Sequence, residues 1–254
     1  MNKQRLVFVI VILFALFAPL WAQSESDFAV GLTEDGNGVV IRWYEGKSAT
    51  VRIPATIQGM PVRVIEKNAF SGPLVTSVVI PVGVTTINES AFSGCRNIQS
   101  ITIPNTVTRI GSFAFSQTRS LTSINLPANL ISIGESAFDG SGITSISWPA
   151  GINKIPYESF SGCQNLKSVT IPEGVTTISA YAFNGATGIT NITLPSTIEK
   201  IEDQAFQDCR SLTTITIPAS VTSIQFGNLV FVGCRNLSLA TQAVMKKLGY
   251  TDGF

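Results

Sequence analysis

The chain has 254 residues, 44% of them hydrophobic and only 13% charged, which argues for a sizeable core and against disorder. Seventeen Lys and Arg against sixteen Asp and Glu leave a net charge of +1, so no long-range field draws in nucleic acid or an anionic membrane, and neither is expected as a partner. Histidine is absent altogether, which removes the commonest general base, the Ser-His and Cys-His nucleophile pairs and most zinc sites; carboxylate-only chemistry of the glycosidase kind survives that exclusion.

At the N-terminus, Lys3 and Arg5 precede an apolar run from Leu6 to Leu20, followed by Trp21-Ala22-Gln23 and the polar Ser24-Glu25-Ser26-Asp27. Basic, apolar and small-residue segments in that order read as a secretory signal peptide over 1–22, with cleavage after Ala22. An uncleaved anchor is the competing reading, because a run of about 15 apolar residues is only slightly shorter than the ~17 needed to span a bilayer. No second apolar segment follows, so the mature chain is expected to have no membrane span and to be exported, whether secreted, held at the cell surface or periplasmic.

Residues 23–53 contain Gly36-Asn37-Gly38 between strand-like runs and read as an N-terminal capping hairpin. From there proline recurs at 54, 81, 104, 127, 149, 172, 195 and 218, at intervals of 27, 23, 23, 22, 23, 23 and 23 residues. Phenylalanine keeps step at 70, 92, 115, 138, 160, 183, 206 and 231, usually preceded by alanine. Two markers with one period define a repeat array over 54–237.

Each unit follows I-P-x-x-V-T-x-I-x-x-x-A-F-x-G-C-x-x-L-x-x-I-x. The copy from Leu212 to Pro218 carries the L-x-x-I-x-I core of a leucine-rich-repeat strand, and the period falls within that architecture's range. Alternate strand residues face opposite sides, so Ile215 and Ile217 point inward and Thr216 outward. Proline, which has no N–H to donate, suits the end of each ladder strand. The Ala-Phe step is expected in a short helical turn, with Gly72, Gly94, Gly140, Gly162, Gly185 and Gly233 as left-handed closing residues. The expected fold is an α/β repeat, a leucine-rich-repeat solenoid of about eight coils of 22–27 residues with a parallel sheet on its concave face. A parallel β-helix is the alternative. Residues 238–254 read as a C-terminal capping helix, with Leu239, Val244 and Leu248 inward and Gly249 as the stop.

The recurring segments Ser100-Ile101-Thr102-Ile103-Pro104, Val175-Thr176-Thr177-Ile178 and Ala91-Phe92-Ser93-Gly94-Cys95 resemble the BspA-like, or treponemal-type, leucine-rich repeats of bacterial surface proteins. The resemblance covers roughly residues 27 to 237, including an opening unit at Thr56 to Val62. It implies a curved, exported solenoid associated with adhesion or with binding of host proteins. It supplies no catalytic residue.

Candidate site residues follow from the outward strand positions. One column holds Ser77, Ser100, Ser123, Ser145, Ser168, Asn191 and Thr214; its neighbour holds Arg52, Val79, Thr102, Asn125, Ser147, Thr170, Thr193 and Thr216. Of these, Ser100, Thr102, Ser123, Asn125, Ser145, Ser147, Ser168, Thr170, Asn191, Thr193, Thr214 and Thr216 form the expected ligand-binding face, short hydroxyl and amide groups suited to a protein or glycan ligand. The plain alternative is that Ser and Thr merely suit solvated strands and bond one another across them. A structural or self-assembling envelope component without an external ligand is the alternative function.

Cys95, Cys163, Cys209 and Cys234 occupy one equivalent position, three residues after a phenylalanine. Coils about 4.8 Å apart leave Cys209 and Cys234 as the one pair close enough for a disulfide, and small buried thiols are the plainer reading. Phe113, Tyr157 and Tyr181, before the repeat phenylalanine, are candidate contact aromatics or loop-packing residues. Trp148 takes an inward slot. The carboxylates Glu89, Glu135, Glu173, Glu199, Glu202 and Asp203 form no recurrent pair. No enzyme activity, metal site or cofactor is therefore expected.

Overall fold

A computed structural model describes residues 23–72 and 74–254; the expected leader over 1–22 lies outside the described residues. The chain begins with an antiparallel hairpin, β1 (Phe28–Leu32) and β2 (Val39–Tyr44), followed by β3 (Thr50–Arg52), β4 (Thr56–Ile57) and β5 (Met60–Ile65). Thereafter a coil contributes a three-residue strand before its proline and a two-residue strand after it. These are β6 (Ser77–Val79), β7 (Thr86–Ile87), β8 (Ser100–Thr102), β9 (Arg109–Ile110), β10 (Ser132–Ile133), β11 (Ser145–Ser147) and β12 (Lys154–Ile155). The series continues with β13 (Ser168–Thr170), β14 (Thr177–Ile178), β15 (Asn191–Thr193), β16 (Lys200–Ile201), β17 (Thr214–Thr216) and β18 (Gln225–Phe226), and a helix, α1 (Leu239–Lys247), follows.

Equivalent strands of successive coils pair in parallel and in register, so Ser77 lies opposite Ser100 and Ile155 opposite Ile178. The three-residue strands make the first sheet, in the segments β3-β6-β8, β11-β13 and β15-β17. The second sheet runs β1-β2-β5-β7-β9-β10 and then β12-β14-β16-β18. The solenoid reading of the sequence holds, with little helix and about eight stacked turns.

A third ladder runs along the phenylalanine turns. The N–H of Phe92 donates to the carbonyl of Ala114 at 2.9 Å, that of Phe115 to Ala137 at 2.8 Å and that of Phe160 to Ala182 at 2.8 Å. The series extends from Tyr44, bonded to Ala69, as far as Phe206, bonded to Val230. A small residue, alanine or serine, before every repeat phenylalanine but Phe231 lets the coils approach closely enough for these bonds.

This ladder also explains why the Ala-Phe step is a run of turns and not the short helical turn expected from sequence. The N–H groups of Ser90, Phe92 and Gly94 all point to the next coil, to Ser112, Ala114 and Ser116, and so cannot enter an i→i−4 pattern. Residues on both sides of the phenylalanine are left-handed. Two positions after it lie the expected glycines, with Gln117 and Asp208 completing the column. Two positions before it lie Asn68, Ser90, Phe113, Ser136, Glu158, Tyr181, Gln204 and Leu229, all with φ between 52° and 57°.

Inside the coils the eight repeat phenylalanines are fully buried and form one stack. Neighbouring ring centroids are 4.8–5.7 Å apart and the planes are within 17° of parallel. The stack is closed at one end by Tyr44 and Phe28 and at the other by Tyr250 and Phe254. Trp148 is buried edge-on against Phe160, as its inward slot suggested.

All four cysteines are buried and free, so Cys209 and Cys234 are not joined. Each thiol instead donates to the carbonyl of the preceding coil's phenylalanine: Cys95 to Phe70 at 3.5 Å, Cys163 to Phe138 at 3.0 Å, Cys209 to Phe183 at 3.1 Å and Cys234 to Phe206 at 3.0 Å. Burial pushes the Cys95 and Cys163 thiols up to about 12, and it pushes Cys209 in the same direction, with Cys234 adding to the effect.

In α1 the inward face is not the one expected. Leu239 is 83% exposed and Val244 43% exposed, whereas Thr241 and Met245 are buried; only Leu248 packs against the core as anticipated. Polar anchoring sets the helix rotation. Ser238 caps the N-terminus by accepting from the Thr241 N–H, and the Thr241 hydroxyl donates to the Thr213 carbonyl of the last coil.

Candidate functional site

The first sheet presents its outward side chains on the concave face. In β8, β11, β13, β15 and β17 the central residue, Ile101, Ile146, Val169, Ile192 or Ile215, is buried and both flanking residues are exposed. The period of two thus places Ser100, Thr102, Ser145, Ser147, Ser168, Thr170, Asn191, Thr193, Thr214 and Thr216 on one surface, and Ser123 and Asn125 are exposed there too.

These groups are mostly unengaged. Ser100 donates to Ser77 at 3.0 Å, and Asn191 bonds Thr190 and Thr213. The other ten side chains make no hydrogen bond within the described residues. Cross-strand hydroxyl pairing, the plain alternative for such columns, therefore accounts for one contact only. Among the described residues neither outward column carries a charged side chain after Arg52.

One part of the face differs from the rest. Residues Ser123–Asn125 hold the place of a first-sheet strand but pair with neither β8 nor β11; the Thr122 carbonyl just before them still accepts from the Thr144 N–H at 2.9 Å, and the sheet is interrupted again between β13 and β15. A groove of about 410 Å³ opens there, lined by Ser123, Asn125, Ser145, Ser147, Ser168 and Thr170 together with Ile124, Leu126 and Ile146. Sequence alone could not find it, because Ser123-Ile124-Asn125 fits the strand pattern as well as its neighbours do. The groove lies beside the 22-residue coil. That coil is shortened at Gly142, where the backbone passes so close to the Arg119 carbonyl that a Cβ would collide with it.

The carboxylates form no facing pair in this groove. Glu173 binds the backbone N–H and hydroxyl of Ser196, bonds that hold its carboxyl below the usual range, and Glu202 pairs with Lys200 at 2.9 Å. Among the described residues no group of His, Cys, Asp and Glu could hold a metal, and no helix is long and apolar enough to cross a membrane. The aromatics Phe113, Tyr157 and Tyr181 lie away from the concave face, at the corner between the second sheet and the phenylalanine turn. Tyr157 and Tyr181 meet edge to face with centroids 5.7 Å apart. Desolvation and then a bond to Glu158 raise the Tyr157 hydroxyl above its ordinary value.

A parallel stack of coils with an open, uncharged hydroxyl face is a leucine-rich-repeat scaffold. The family model described as the BspA type leucine rich repeat region matches residues 63–155 and 131–249 in six copies, and the chain belongs to this family. It is similar to the solved leucine rich repeat protein of T. pallidum, at 27% identity over 92% of this chain and 98% of that one, with a TM-score of 0.67. It is also similar to a leucine-rich repeat protein from Bacteroides ovatus ATCC 8483, at 25% identity over 87% and 70% of the two chains, with a TM-score of 0.69. A leucine rich cell surface protein from Faecalibacterium prausnitzii A2-165 matches at 28% identity over 79% of this chain and 55% of that one, with a TM-score of 0.65. No curated protein matches the sequence.

Proposed function

We propose that the chain is an exported, non-catalytic binding module that recognises a protein partner outside the cytoplasm through its concave face. Export rests on the basic and apolar order of residues 3–22, and on a structural relative described as a cell surface protein. The observation that carries the binding site is the groove at Ser123–Asn125. There the sheet leaves a strand unpaired on both sides, among hydroxyls that have no partner of their own. Unpaired strand edges and free hydroxyls are the groups with which a polypeptide partner makes main-chain and side-chain hydrogen bonds. A host-surface adhesin is the form of this function that the family resemblance favours.

Affinity capture with the purified chain as bait, from host extracellular material, tests the reading. A saturable partner should be retained by the chain and lost when Thr102, Thr170 and Thr193 are replaced together by arginine. The same partner should still bind a variant altered on the second sheet, Thr177→Arg. Capture that ignores the triple substitution moves the site off this face.

A further inference from the structure

At the corner between the second sheet and the phenylalanine turn, aromatic rings alternate with carboxylates. In successive coils Phe113, Glu135, Tyr157, Tyr181 and Asp203 stand at this corner. The Phe113 N–H donates to the Glu135 carbonyl at 2.9 Å, the Ser136 N–H to Tyr157 at 2.8 Å and the Tyr181 N–H to Asp203 at 3.0 Å. Asp203 accepts from the Asn228 N–H at 2.8 Å, and from Phe113 to Tyr181, three coil steps of ~4.8 Å, the row is about 14 Å long.

Phe113 is 42% exposed and Tyr157 38% exposed, so burial does not account for these two rings; Tyr181 is half-buried, edge to face with Tyr157. Phe113 and Tyr181 also sit in the left-handed column, at φ 57°, where other coils place Asn68, Ser90 or Gln204. Between the rings stand carboxylates without cations. Glu158 accepts from the Ser136 hydroxyl at 3.0 Å, and neither it nor Glu135 enters an ion pair among the described residues.

Exposed ring faces attract ammonium and guanidinium groups, and free carboxylates pair with the same groups. The row's length decides between a single cation and a chain of them. An extended peptide repeats same-side residues every ~6.6 Å, so three such side chains span about 13 Å and match the row of about 14 Å. We propose that this edge, through Phe113, Tyr157 and Tyr181 with Glu135 and Glu158, docks an extended basic peptide segment of a partner protein, independently of the concave face.

Fluorescence anisotropy with a labelled peptide of alternating lysine and serine, titrated with the purified chain, tests the assignment. Saturable binding that weakens with salt is expected, with none for the matching glutamate-serine peptide. Replacing Tyr157 and Tyr181 together by alanine should weaken binding about tenfold, the size of two exposed cation–π contacts. Glu135→Gln with Glu158→Gln keeps the rings and should weaken binding comparably while flattening the salt dependence. The concave variant Ser147→Arg should bind the peptide as the parent does, which separates this edge from the function proposed above. Absence of saturable binding at low salt, or equal affinity for the parent and both double variants, overturns the proposal. Loss of binding to the parent on adding tetramethylammonium, with no dependence on peptide length, would assign the edge to a single quaternary cation and overturn the peptide as occupant.

Discussion

Phe138→Ala removes a fully buried ring from the middle of the aromatic stack, where its centroid lies 5.7 Å from that of Phe115 and 5.6 Å from that of Phe160. Truncating a core phenylalanine costs about 3–5 kcal/mol, and losing two stacked neighbours places this site at the upper part of that range. The ladder bonds above and below cannot close the void, because Phe138 and Phe160 are tied by backbone hydrogen bonds to Ser159 and Ala182. At the end of the stack Phe254 is only partly buried and stacks on Phe231 at 6.1 Å, so Phe254→Ala should cost about 1 kcal/mol. Urea unfolding reads both, as a fall in midpoint at constant slope. Hydrogen exchange supplements it if the array unfolds in parts, as repeat arrays do. A mid-stack loss under about 1.5 kcal/mol, on a scale where core truncations cost 3–5, or equal losses at the middle and the end, would refute the idea that the continuous stack holds the coils together.

Other consequences can be checked on the same protein. Gly142→Ala forces a Cβ into the Arg119 carbonyl and should destabilise by about 1–3 kcal/mol, a difference thermal melts resolve. Met245→Ala should cost about 2–5 kcal/mol and Leu239→Ala under about 0.5; the reverse order would mean that α1 docks by its other face. The raised thiols give a pH dependence. The unfolded chain loses its thiol protons near the ordinary value of about 8.5, and the folded Cys95 and Cys163 lose theirs only near 12. Their contribution is therefore complete below about pH 8.5 and declines as pH rises towards 12. Urea midpoints at pH 8 and pH 10.5 should differ less in Cys163→Ala than in the parent, and identical differences would contradict the burial of that thiol.

The fold was legible because two markers recur with one period and because strand alternation needs only the identities of neighbouring residues. Ile215 and Thr216 announce their own faces. The left-handed column two residues before each phenylalanine was not legible. Asn68, Ser90, Phe113 and Glu158 share no chemistry, and what they share, an N–H aimed at the next coil, exists only once coils are stacked. The docking face of α1 was missed for a related reason, since hydropathy favoured Leu239 and Val244 while Ser238 and Thr241 set the rotation through polar bonds. At the candidate site the exposure of all twelve outward residues could be read in advance, but the unpaired stretch at Ser123–Asn125 could not. Its sequence is that of a strand, and the irregularity lies in the neighbouring coil, one residue short at Gly142.

Hydrogen exchange of the chain, free and bound to its captured partner, tests recognition at the groove most directly. In the free chain the amides of Ser123 to Leu126 should exchange faster than those of Ser100 to Thr102, because the former lie outside the ladder. In the complex the segments at 122–126, 145–147 and 168–170 should gain protection together. Protection confined to the second sheet or to the phenylalanine turns, with 122–126 exchanging as freely as before, would contradict recognition through the concave face.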